Sequence, residues 1–237
     1  MSVKKGVLDG LNTMAVFTDT IPSNGKKFKY RGYSAGEEQA LLVAKESRDL
    51  GIIIHNTKEC ISACTFGEVD PDKLTSFDIE YILLVLRSKS VGDDIELTMI
   101  CNECSKKNDA VINIQDINKP VVIKDAHIIK LSDKLTLVMR YPGFEILESI
   151  QDPDADSFKL IASLIDQVVN GDDVIETSSL NPEEVERFVK GMSSKLIKHI
   201  TDFIQNSPAL TYELKLKCAH CGHDNVYHFK GIRNFFA

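Results

Sequence analysis

Nowhere in these 237 residues does an apolar run approach the roughly 20 that a membrane-crossing helix needs, so no transmembrane segment is expected. Positive charge is also in deficit. Lysines and arginines number 28 against 35 acids, a net charge of -7, which argues against a general affinity for nucleic acid or for an anionic membrane. Aromatics make up only 7 %, and none is interleaved with the cysteine pairs described below, as a nucleic-acid reader would want. Two catalytic signatures are missing as well: there is no Gly-rich phosphate loop of Walker or Rossmann form and no G-x-S-x-G elbow. The six histidines are scattered without partners, and the acidic runs "VGDDIE", "DPDAD" and "NGDDVIE" suit solvated loops and helix entries. These absences point away from an enzyme. The start "MSVKKGVLDGLNTMAVF" has two lysines but no apolar stretch with a small-residue cleavage site. The expected setting is therefore a reducing cytoplasm, where cysteines more often hold metals than form disulfides.

What is present is an ordinary globular composition, 43 % hydrophobic and 27 % charged, enough for a buried core in one or two domains. The expected fold class is α+β, with helical segments flanking a split zinc ribbon of two strand–CxxC–strand knuckles and a small antiparallel β portion. Residues 1–33 read as an extended N-terminal arm with short strands. Residues 34–92 read as helical. "YSAGEEQALLVAKESRDLG" has Ser34 and Glu37 placed as a capping box and Gly51 after its last turn, and "IIIHNTKECISACTF" is a second helix. "LTSFDIEYILLVLRSKS" repeats the entry signal with Thr75 and Asp78, and its apolar run implies burial on most sides. Residues 93–141 read as the first knuckle and a β-hairpin turning at Ser132–Asp133. Residues 142–210 read as helical again. There Phe158, Ile161, Leu164, Ile165 and Val168 form one stripe, Asn181 caps a helix with Pro182 first, and Leu196, Ile197, Ile200, Phe203 and Ile204 form another stripe. Residues 211–237 carry the second knuckle and an aromatic tail.

The chain writes one short phrase twice, "CNECSKKN" at Cys101 and "CAHCGHDN" at Cys218, with 113 residues between Cys104 and Cys218. Aligning the copies also matches Glu96 with Glu213, Leu97 with Leu214 and Asn108 with Asn225. A C-x-x-C turn between two strands aims both sulfurs at one point, and two such turns facing each other supply the closed tetrahedron of a structural zinc. Cys101, Cys104, Cys218 and Cys221 are the expected ligands of one Zn2+. A thioredoxin-like redox pair would instead use one C-x-x-C at a helix start. Four thiolates leave no position for a reactive water, and the metal would staple the insert between the two halves. His220 and His223 sit where either could replace a sulfur, although exposed turn residues are the simpler reading. Cys60 and Cys64, spaced i, i+4, read as core cysteines.

Several phrases together carry a resemblance. "YRGYSAGEEQALLVAKES", "LTSFDIEYILLVLRSKSVGDDIEL" running into "CNECSKK", and "FIQNSPALTYELKLKCAHCGHDNVYHFKGIRNFF" resemble the baseplate hub assembly protein family of T4-like contractile-tailed bacteriophages, from about Tyr30 to the C-terminus. The resemblance implies a virus-encoded protein of the host cytoplasm, with the virion tail baseplate as its destination if it is retained there. It would build the central hub through contacts with other hub proteins, without nucleic acid or membrane as partner. Both a resident hub subunit and a departing assembly chaperone are compatible with it. The ending "GIRNFFA" then gives Phe235 and Phe236 two readings: they fold back into the core, or they present an apolar plug to a partner. The alternative from another class is a zinc-ribbon nucleic-acid or transcription adaptor, for which "SKKNDA" and "SSKLIKH" supply local lysines.

Overall fold

The computed structural model describes residues 14–123, 127–144 and 157–231. Among them are six α-helices and ten strands, and every strand pair is antiparallel. The chain enters through a hairpin of β1 (Phe17–Thr20) and β2 (Lys27–Tyr30). Alternation along β2 turns Phe28 and Tyr30 inward, so part of the expected arm contributes core side chains.

Helix α1 (Ala35–Ser47) carries the expected capping box of Ser34 and Glu37. It does not run to Gly51. Arg48 adopts a left-handed conformation and Asp49 caps a new helix by accepting the Ile52 N–H, so α2 spans Leu50–Cys64 with Gly51 inside it. A good N-cap overrode the glycine stop signal. Helix α3 (Ser76–Ser90) opens with the expected Thr75–Asp78 box. Asp78 is fully buried, and its carboxylate accepts from Thr75 N–H, Thr75 Oγ1 and Ser23 N–H. Three donors offset the desolvation such a group would otherwise suffer.

Two sides of α3 serve two cores. Ile79, Ile82 and Leu86 pack with Ile54, Cys60, Ile61 and Cys64 of α2 and with Phe28 and Tyr30. Tyr81 and Leu84 pack instead with residues of two further hairpins: Ile95, Ala110 and Ile112 on one, Leu214 and Phe229 on the other. These hairpins are β3 (Asp94–Ile100) with β4 (Lys107–Asn113), and β9 (Thr211–Lys217) with β10 (Asp224–Lys230). At their base Asn118 and Thr211 form an antiparallel bridge with both backbone hydrogen bonds made, at 2.8 and 3.2 Å.

The third core lies in the insert. A four-stranded sheet runs β5 (Ile128–Lys130), β6 (Leu135–Met139), β7 (Ile165–Asn170), β8 (Asp173–Glu176). Against it pack α4 (Ser157–Leu164), α5 (Pro182–Lys190) and α6 (Ser194–Gln205), with Leu137, Ile161, Leu164, Val168, Val189 and Ile200 at the centre. Here the helical reading of Ile165 and Val168 is corrected, because α4 stops at Leu164 and both belong to β7. Residues three apart would face opposite sides of a regular strand, but a bulge at Asp166, where the register shifts beside Val138 and Met139, turns both Ile165 and Val168 inward. The β-branched content of the segment and the two-residue turn at Gly171, with φ +63, favour a hairpin. Tyr141 ties the insert to α3, its ring set edge-on to Phe77 at 5.2 Å and stacked on Phe203 at 5.1 Å.

Candidate metal centre

The two cysteine hairpins are built alike. All four strands are seven residues long, and each strand of the second hairpin starts 117 residues after its counterpart. In the first turn Ser105 N–H donates to Cys101 O, and Cys101 N–H to Lys106 O. In the second, Gly222 N–H donates to Cys218 O, and Cys218 N–H to His223 O. The chain must turn back through a left-handed residue at matched positions, Ser105 at φ 57 and Gly222 at φ 75.

These turns bring together the four sequence-predicted cysteines. Their sulfurs all lie within 4.8 Å of one another, with Cys101 Sγ 3.7 Å from Cys221 Sγ and Cys104 Sγ 3.6 Å from Cys218 Sγ. Each close pair joins one hairpin to the other. Metal–thiolate bonds of about 2.3 Å in a tetrahedron would set sulfurs roughly 3.8 Å apart, so the cluster has the dimensions to hold a metal ion. Cys101 and Cys218 are buried, Cys104 is half-buried and Cys221 is exposed, so the site sits at the tip of the paired hairpins.

The thiols are unequal. Backbone N–H groups of Cys104 and Glu103 hold Cys101 below the usual cysteine range. Desolvation works against ionisation of Cys218, yet the N–H groups of Cys221 and His220 and the Asn108 side chain bring it down to about 5. Cys221 receives the His223 N–H, but desolvation and the thiols of Cys104, Cys218 and Cys101 push it up to about 12. Crowded sulfurs of like charge oppose ionisation of the last one.

Around the sulfurs, two asparagines link the hairpins. Asn225 Oδ1 accepts the Asn102 N–H and Asn108 Oδ1 accepts the Ala219 N–H, both at 2.9 Å. Tyr227 Oη donates to Ile100 O at 2.8 Å, and the His220 ring nitrogen lies 3.2 Å from Lys107 O. His220 therefore faces a backbone carbonyl. The sequence shows Asn108 and Asn225 as matched positions, but nothing local reveals that each reaches across to the opposite turn. Cys60 and Cys64 are buried in α2 as expected, their sulfurs 4.0 Å apart. Among the described residues they join no other cluster of potential metal ligands. Phe235 and Phe236 lie outside the described residues.

Residues 14–237 match the model of a family described as T4 bacteriophage base plate protein. No curated protein and no solved structure matches the chain.

Proposed function

The chain belongs to the T4 bacteriophage base plate protein family, and from that membership we propose that it builds the central hub of a contractile tail baseplate. It acts through contacts with other hub proteins and not through turnover, first in the host cytoplasm and then at the tail baseplate. Zn2+ is the cation assigned to Cys101, Cys104, Cys218 and Cys221, as a split zinc ribbon. The observation that carries this reading is the gathering of four sulfurs from two distant hairpins within 4.8 Å. When bound, the metal supplies cross-linking and charge neutralisation, because four thiolates fill its tetrahedron.

This chain's residues do the rest. Backbone N–H groups in both turns stabilise the thiolates. The apolar strand faces clamp the hairpins on α3 through Tyr81 and Leu84. Phe235 and Phe236 are assigned the first partner contact, following closely on β10 in sequence. No helix among the described residues is long and apolar enough to cross a membrane.

Four measurements test the reading. Elemental analysis of purified protein should find one zinc per chain, and a pull-down from infected cells should recover tail hub proteins. Removal of Asn234–Ala237 should abolish hub assembly while leaving thermal stability unchanged. A large loss of stability would assign the phenylalanines to the core instead. Steep salt-dependent binding to mixed DNA and RNA would favour the nucleic-acid adaptor.

A further inference from the structure

We propose that Asn108 and Asn225 are positioning residues for the cysteine cluster: each carries its own hairpin across to the opposite cysteine turn and sets the spacing of the four sulfurs before a cation arrives. The inference rests on the metal reading above.

Both side chains are buried at the second position of an outgoing strand, one in β4 and one in β10. A buried amide at an inward strand position is tolerated only when its donors and acceptor are satisfied. Here the satisfaction is reciprocal. Asn225 Oδ1 takes the N–H of Asn102, the residue after Cys101, and Asn108 Oδ1 takes the N–H of Ala219, the residue after Cys218. Each asparagine also braces its own turn, with Asn108 Nδ2 donating to Lys106 O at 3.1 Å and Asn225 Nδ2 to His223 O at 3.1 Å. An apolar side chain could fill the same volume, but only an amide can brace its own turn and capture the opposite one. These two bonds span 123 and 111 residues of chain, so they fix the register of segments that local sequence does not connect.

Both amides also reach ligand sulfurs. Asn225 Nδ2 also lies 3.6 Å from Cys101 Sγ and 3.3 Å from Leu216 O. Asn108 in turn hydrogen-bonds the Cys218 thiol, so each amide touches a ligand sulfur as well as the opposite backbone. Partners of this kind orient metal ligands, and their removal typically weakens metal affinity about 10- to 100-fold.

Cobalt(II) titration of the full chain tests this, using wild type, Asn108→Ala, Asn225→Ala and, as a control, Asn113→Ala. Asn113 lies at the far end of β4, where its side chain donates to Asp94. Wild type and Asn113→Ala should give the same tight binding and the same intense sulfur-to-cobalt absorption with tetrahedral visible bands. The other two should bind about 10- to 100-fold more weakly, with altered visible bands and an unchanged helical circular dichroism signal. Wild-type affinity and bands in both alanine variants would overturn the proposal. If an alanine variant fails to fold, Asn108→Gln or Asn225→Gln, which keeps both the amide donor and the acceptor, should recover fold and cobalt binding, and no recovery would overturn it. Wild-type protein that takes up no cobalt would instead overturn the metal reading itself, and this inference with it.

Discussion

Arg31 grips Glu37 with both arms of its guanidinium, Nη1 to Oε2 at 2.8 Å and Nη2 to Oε1 at 2.7 Å. The same carboxylate accepts the Ser34 N–H at the start of α1. One acid thus caps a helix and fastens it to the end of the β1–β2 hairpin.

A pH dependence follows. The Arg31 hydrogen bonds hold the Glu37 carboxyl at about 2, down from an ordinary value of 4.5. The folded state therefore binds this proton less readily than the unfolded state. Its contribution should be fully present above about pH 4.5 and lost as pH falls towards 2. With allowance for solvent around a partly exposed pair, the contribution is about 1–2 kcal/mol. Urea unfolding of wild type and Glu37→Gln at pH 6, 4 and 3 should show the difference shrinking as pH falls. A constant difference would refute the assignment.

The matched turns make a second test. Gly222 has φ +75 and no atom within 4 Å of where a Cβ would stand. Gly222→Ala therefore meets only the backbone penalty of a left-handed residue, about 1 kcal/mol. Ser105, at φ 57, already bears that penalty, so Ser105→Gly should be neutral or slightly stabilising. Thermal denaturation of both variants checks the pair. Equal destabilisation in both would mean that the turns are not equivalent.

Removing a ligand should act unevenly. The insert has its own apolar core around Leu137, Leu164 and Ile200, whereas the hairpins lean on a smaller shared one. Cys218→Ser should speed hydrogen exchange most in β3, β4, β9 and β10, and much less in α4, α5 and α6. Equal acceleration throughout the chain would show that the insert has no independent stability.

Much of this arrangement is legible in the sequence because it is written locally. The Ser34–Glu37 and Thr75–Asp78 boxes, the Asn181–Pro182 entry and the alternating strands beside each C-x-x-C are short patterns with one physical meaning, and the structure has each of them. Ile165–Asn170 misleads because a bulge at Asp166 lets this strand bury residues three apart, the spacing of a helical stripe. The break at Arg48–Asp49 is hidden by a continuous helical composition on both sides. Asn108 and Asn225 are visible as a repeat, but their partners are chosen by the meeting of two hairpins, which no window of sequence contains.

The bridge between Asn118 and Thr211 also has a mechanical consequence. Tension applied between the two cysteine hairpins passes through that bridge and the sulfur cluster, while residues 119–210 form a slack loop in parallel with them. The insert is shielded from force as long as the joint holds. With pulling handles at Asp93 and Gly231, its hidden length, about 300 Å when extended, should appear only after the joint ruptures. Metal removal should lower the rupture force without changing that length, and release of the insert before the joint breaks would contradict this force path.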